Sequence, residues 1–223
     1  MPSVVQVSNM ALSHLGAEAL VASIDPPDGS VEAGLCRTFL GPARIEALEQ
    51  ASWPWAMKRV QLAPVTNPST VWKYAYQKPS DCLTATRVLR LAYINDAGLL
   101  WPAGSYLNYA INWTLVDDLF TERGSADFEI EGEVILTNEP DAVLKYKADV
   151  VDTTKWSGSF ASALSMLLAS YLAGPIIKGA EGLRIGAQWR SAAIAAIRQA
   201  AANDANNSAE RAGHVAEHIR ARA

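Results

Sequence analysis

Apolar residues recur at two different periods along this chain, and the change of period divides it. Val4, Val7, Ala11 and Leu15 fall at helical spacing, widened by Val5 and Leu12, which predicts a helix over Ser3–Leu15 stopped by Gly16. Ser23–Ser30 (SIDPPDGS) is dense in turn formers and reads as a loop. Val31, Leu35, Phe39, Ile45 and Leu48 restore the helical rhythm until Pro54, with a kink or break predicted at Gly41–Pro42. From Lys58 to Val150 short β-favouring runs take over. Phe128, Ile130, Val134 and Leu136 predict a hairpin over Asp127–Thr137 turning at Glu131–Gly132. Leu144, Tyr146, Ala148 and Val150 alternate with Lys145, Lys147 and Asp149 as a half-buried strand, and Leu83–Tyr93 and Arg59–Val65 are weaker strand candidates. Helical spacing returns over Phe160–Ile177, through Leu164, Leu167, Leu168, Tyr171 and Leu172. It continues over Leu183–Asn203, through Ile185, Trp189, Ala193, Ile194 and Ile197, with Gly179, Gly182 and Gly186 read as the turn between the two.

This order predicts an α+β fold. A four-helix bundle is assembled from residues 1–57 and 156–203, a β-rich module of residues 58–155 is inserted between helices 2 and 3, and residues 204–223 form an extended polar tail.

Composition narrows the possibilities. Half of the 223 residues are hydrophobic and 19% are charged, enough for a core and too apolar for a disordered chain. Cys36 and Cys82 are too few for a disulfide framework and read as small buried apolar residues. A net charge of −4 excludes a generally basic nucleic-acid binder. That total conceals a split: Arg37–Arg90 holds eight basic and three acidic residues, whereas Ile111–Val150 holds three basic and ten acidic ones. Two such stretches predict different surfaces with different neighbours. The uncharged run Trp156–Ile177 is long enough to span a bilayer, but its five serines and Gly174–Pro175 fit a buried helix better. Met1–Met10 carries no basic residue ahead of an apolar run and does not read as a secretory leader. Asn112-Trp113-Thr114 therefore carries no weight as a glycosylation site.

Reactive chemistry finds little support. Neither a Walker loop nor a GxGxxG occurs. His214-Val215-Ala216-Glu217-His218 matches the HxxEH zinc-peptidase pattern, but a catalytic zinc needs a third protein ligand in a dry, rigid cleft and this motif lies in the most polar segment. It reads as a solvated or partner-bound helix. His14 reads as a favourable charge at a helix C-terminus. Asp117 and Asp118 are adjacent, so in a strand they face opposite sides and cannot share a proton. No catalytic residue, cofactor or metal is expected. Trp53-Pro54-Trp55 is read as a structural junction between bundle and β module, since each buried Trp removes about 200 Å² from water.

Four segments together resemble the tail tubular protein A, or head-to-tail adaptor, family of short-tailed bacteriophages. SNMALSHLGAEAL is similar to its first helix. FLGPARIEALEQASWPWAMKRVQL resembles its aromatic-x-x-Pro-x-Arg helix and Trp–aromatic corner, at Phe39, Pro42, Arg44, Trp53, Trp55, Ala56 and Arg59. YQKPSDCLTATRV resembles its strand entry, at Pro79, Asp81, Cys82 and Leu83. FEIEGEVILT and the LKYKADVVDTTKWSGSFASALSMLLASYLA that follows resemble its hairpin, strand and third helix. Gly41, where the family has a large residue, and the segment after Asn203 depart from the pattern.

The resemblance implies a non-enzymatic virion protein of the phage neck, assembled in the host cytoplasm. Its partners would be the portal protein, the tail nozzle protein and other copies of itself in a ring, as a dodecamer, with double-stranded DNA passing non-specifically through the centre and no membrane involved. Within that picture Arg211, His214, His218, Arg220 and Arg222 are expected to form a basic portal-binding helix that orders on docking. Asp117, Asp118, Glu129, Glu131 and Glu133 are expected on the lumen or nozzle face, where like charge keeps DNA sliding. The competing readings are a small metal-dependent hydrolase, resting on HxxEH, and a membrane-active virion protein, resting on the uncharged run.

Overall fold

The computed structural model describes residues 2–17, 20–89, 92–94, 100–102 and 125–206. These form a mixed α+β protein with four long helices: α1 (Val4–His14), α2 (Val31–Gln50), α3 (Gly158–Ile177) and α4 (Gly179–Asn206). Compact packing divides the chain between Trp55 and Ala56 and again between Val150 and Val151, giving a helical unit and a β unit. Residues 151–155, expected in the β insertion, therefore belong to the helical unit.

Serines open three of the helices. Ser3, Ser30 and Ser157 sit in extended conformation, and their hydroxyls accept from the amides of Gln6, Ala33 and Phe160 at 3.1–3.2 Å, satisfying donors that have no partner inside the helix. The loop before α2 is held by Asp28. Its carboxylate accepts from the Ser30 hydroxyl and the Ser30 and Ala22 amides, which pull it down to about 2.

The uncharged run forms α3, the centre of the helical unit. It is the one described helix long and apolar enough to cross a membrane. Here it packs against α1, α2 and α4 and buries Phe160, Leu164, Leu167, Leu168 and Leu172 completely. By area each buried Leu contributes roughly 1.5–3 kcal/mol.

Local signals for interrupting a helix are partly overridden here. No break interrupts α2, which runs through Pro42 with that ring exposed. The missing amide costs one hydrogen bond. Burial of Cys36 and Leu40 before Pro42 and of Ala43, Ala47 and Leu48 after it keeps the helix whole. Of the three glycines read as a turn, only Gly179 is in it: Lys178 and Gly179, both at φ +63°, reverse the chain between α3 and α4, whereas Gly182 and Gly186 lie inside α4. A Cβ on Gly182 would stand 2.9 Å from the carbonyl oxygen of Ala173, and one on Gly186 would stand 3.1 Å from that of Ser170. Glycine lets the two backbones touch.

The β unit contains β1 (Met57–Gln61), β2 (Tyr74–Gln77), β3 (Cys82–Leu89), β4 (Ala92–Ile94), β5 (Leu100–Pro102), β6 (Ser125–Ala126), β7 (Phe128–Glu131), β8 (Val134–Thr137) and β9 (Val143–Ala148). All described pairings are antiparallel. They give a four-stranded sheet ordered β1-β9-β3-β6, a three-stranded sheet ordered β2-β8-β7, and the pair β4–β5. In β9 the predicted alternation holds: Leu144, Tyr146 and Ala148 are buried, while Lys145 and Lys147 face the other way. The β7–β8 hairpin turns one residue later than expected, at Gly132–Glu133, because Glu131 pairs with Val134. Gly132 takes φ +59° as the first turn residue, the position where a type II′ turn requires glycine.

The α3–α4 contact yields a paired prediction. Gly182→Ala should destabilise by about 1–3 kcal/mol, because its methyl meets backbone. Gly34→Ala, inside α2 with open space around it, should stabilise by roughly 0.4–1 kcal/mol. Urea unfolding midpoints of the two variants would move in opposite directions.

Candidate functional site

Three polar clusters and one charged surface carry what chemistry the described residues offer. The first lies where the chain leaves and re-enters the helical unit. Trp53 is 1% exposed, and its indole N–H donates to the Ala47 carbonyl at 3.0 Å, which closes the end of α2. Phe160 receives the rings of Trp53, Trp55 and Trp156 edge-on, with centroids 4.9, 5.0 and 5.4 Å away. Trp55 Nε1 donates to Asp204 Oδ2 at 2.9 Å, and the capping Ser157 hydroxyl donates to the same oxygen at 2.8 Å. The aromatic corner thus belongs to the helical unit. Asp204, expected to start a tail with little to anchor it, instead pins the end of α4 to the start of α3.

The second cluster joins three helices. Tyr171 on α3 donates to Glu46 Oε2 on α2 at 2.6 Å, and Arg190 on α4 pairs with Glu46 Oε1. The hydrogen bond to Glu46, followed by burial, pushes the Tyr171 hydroxyl up. Phe39 stacks on the Tyr171 ring at 5.9 Å.

The third cluster locks the four-stranded sheet. Asp81, just before β3, receives Lys58 Nζ from β1 at 2.5 Å and the Tyr146 hydroxyl from β9 at 2.9 Å. Burial raises the Asp81 carboxyl, but the Lys58 and Tyr146 hydrogen bonds outweigh it and hold it below the usual range. Tyr146 is pushed up to about 12, by burial first and then by its bond to Asp81. Cys82 and Cys36 are both buried free thiols raised by that burial, poor nucleophiles at neutral pH.

His14 departs from its expected role. It is the last residue of α1, where a charge would suit the helix dipole, yet burial lowers its pKa and favours the neutral ring. Its Nε2 lies 3.2 Å from the Ser165 hydroxyl. Ser165 already donates to Ser162 O at 2.7 Å, so Nε2–H is the donor. The ring packs on Trp189 at 4.5 Å. A shallow open groove runs along α1 beside it, and His14 is the one titratable residue among those lining it. Among the described residues no three His, Cys, Asp or Glu side chains are placed to hold a metal ion.

Of the expected surface acids, Glu129, Glu131 and Glu133 are exposed on the β7–β8 hairpin. Glu129 accepts the Trp72 indole N–H at 2.9 Å. Asp117 and Asp118 lie outside the described residues, as do Arg211, His214, Glu217, His218, Arg220 and Arg222. Sequence reading missed Asp204, Glu46 and Arg190. Their partners lie more than a hundred residues away in two of these contacts, and no local pattern marks such pairs. Set against protein-family models and against curated proteins, the chain matches none.

Two measurements test these assignments. Asp204→Ala strips Trp55 and Ser157 of their acceptor and should cost about 1–3 kcal/mol in denaturant unfolding. For His14 the unfolded chain takes up a proton near pH 6.5 and the folded one only at lower pH. Folding stability therefore declines as pH drops through that window. His14→Gln should flatten the stability profile between pH 7 and 5; an unchanged slope would remove His14 from the account.

Proposed function

We propose that the chain is a structural head-to-tail adaptor of a short-tailed phage, forming a ring between portal and tail nozzle through which double-stranded DNA passes. In this reading α1–α4 act as a four-helix bundle into which the β unit is inserted between α2 and α3. One observation carries it: the residues that bear the family resemblance hold the framework together. Phe39 stacks on Tyr171, Trp53 and Trp55 surround Phe160, and Asp81 ties three strands. A motif spent on architecture suits a protein whose work is assembly rather than bond chemistry.

The alternatives draw less support. The HxxEH residues of the hydrolase reading have no third ligand in their pattern. The apolar helix of the membrane-active reading buries its leucines against three neighbouring helices. Docking is assigned to the basic residues Arg211, His214, His218, Arg220 and Arg222, on a segment that orders as it binds an acidic portal groove.

Electron microscopy of the chain mixed with the portal protein of the phage that encodes it tests the proposal. Rings of adaptor should decorate the portal. A chain ending at Asn206, which keeps Asp204, should retain its unfolding midpoint but lose docking. Bare portals with the full chain, or docking by the shortened one, would refute the respective assignments.

A further inference from the structure

β1 is an outer strand of the four-stranded sheet, and β7 is an outer strand of the three-stranded one. The hydrogen-bond pattern fixes which backbone groups point out of each sheet. The Leu62 amide donates to the Ala142 carbonyl at 2.9 Å, so Val60–Leu144 and Lys58–Tyr146 are hydrogen-bonded pairs. Met57, Arg59 and Gln61 therefore turn their N–H and C=O outward. The Lys78 amide donates to the Glu133 carbonyl at 2.9 Å, so Ile135 and Thr137 bond toward β2 while Val134 and Leu136 bond toward β7. Glu131 and Glu129 answer Val134 and Leu136, which leaves the N–H and C=O of Phe128 and Ile130 pointing outward. The opposite edge of that sheet is covered, since the Val65 and Gln77 amides donate to the Ala75 and Ala63 carbonyls at 2.9 Å. The outward groups of β1 and β7 have no such partner among the described residues. Bare edges of this kind are templates for a further strand.

The two edges are complementary to each other. Each carries one half-exposed apolar residue: Val60 on β1, 38% exposed, and Ile130 on β7, 42% exposed. Val60 is opposite the buried Leu144, and Ile130 is opposite the buried Ile135, so each marks the apolar face of its sheet. Beside them stand charges of opposite sign. Arg59 is exposed and makes no ion pair among the described residues. Glu129 gives one oxygen to Trp72 and keeps the other. Lys58 stays with Asp81. Each edge thus carries charge of a single sign, which repels a second edge of its own kind and admits the other.

We infer that β1 of one copy of this chain adds in parallel to β7 of the next, with Val60 beside Ile130 and Arg59 beside Glu129. In that register the Phe128 and Ile130 amides donate to the Met57 and Arg59 carbonyls. The Arg59 and Gln61 amides donate in turn to the Phe128 and Ile130 carbonyls, the slanted ladder of parallel strands. An antiparallel ladder is disfavoured, because its hydrogen bonds would set Arg59 beside Phe128 or Ile130 and leave no acid opposite it. Two different edges meet, so the contact is heterologous: copies join head to tail into a ring where the rotation closes, or a filament where it does not. This deepens the adaptor reading and rests on it only for closure around the portal. A ladder of four hydrogen bonds is weak in solution and strengthens where a portal gathers copies at high local concentration.

The test follows amide hydrogen exchange by NMR in the full chain without portal, from micromolar to millimolar concentration. Exchange at Phe128, Ile130, Arg59 and Gln61 should slow ~10-fold as concentration rises, while Lys58, Val60, Glu129 and Glu131, already bonded within the chain, stay unchanged. Ile130→Pro removes an outward N–H and no bond within the chain. It should keep the circular dichroism spectrum and abolish association in sedimentation. Arg59→Glu and Glu129→Arg should each weaken association alone and restore it when mixed, because neighbouring copies then meet with opposite charges at every contact. Edge amides already protected in the dilute chain, a millimolar chain that stays monomeric, undiminished association of Ile130→Pro, or reversed variants that stay apart when mixed would each overturn the inference. Association in this pattern beside bare portals counts against the adaptor reading and leaves this contact standing.

Discussion

The helical unit depends on the burial of α3. That helix carries no charge from Gly158 to Ile177, and solvent would reach it from every side but for α1, α2 and α4. The partners come from both sides of the β unit in the sequence. α4 covers one side of α3 and lies next to it in sequence, but α1 and α2 from the first 55 residues cover the rest, so α3 is fully enclosed only once distant parts of the chain meet. Its contacts are set by small side chains as much as by large ones. Ala173 and Ser170 present backbone to Gly182 and Gly186, and that approach places the far end of α4 where Asp204 reaches Ser157 and Trp55.

Polar groups at the margins of this packing fix its register. Glu46 receives both Tyr171 and Arg190, and Asp81 receives both Lys58 and Tyr146. In each case one carboxylate collects donors from two other elements. Charge-assisted hydrogen bonds of this kind are stronger than neutral ones and demand a particular alignment. The leucines of α3 tolerate sliding; the carboxylates do not.

Much of this was legible in the residues. Helical spacing located α1, α2 and α3 to within a few positions, and alternation located β9 and the β7–β8 pair, since each period reports directly on a buried face. β2 escaped because Tyr74–Gln77 is four residues long and lacks a clear alternation. Gly182 and Gly186 misled because their local preference is to interrupt a helix, and tertiary packing overrode it, as it also kept α2 continuous through Pro42. His14 misled because helix position argued for a charge that burial opposes. That Arg59, Lys145 and Arg87 stand opposite one another across β1, β9 and β3 could not be read either, because register between strands so far apart in sequence cannot be counted from spacing. On the acidic side, reading reached Glu129, Glu131 and Glu133 as exposed residues.

The aromatic corner has a consequence for how this architecture varies. Trp55, the last residue before the β unit, and Trp156, just after it, rest on the same Phe160 ring. To the helices, everything between them is a single excursion that starts and finishes at one spot. Replacing such an excursion with a short linker changes the closure entropy by only about 2 kcal/mol, because the cost grows with the logarithm of length. The helical unit therefore behaves as a socket with one fixed opening. What is plugged into it can lengthen, shrink or be exchanged wholesale without the leucines of α3 registering the change.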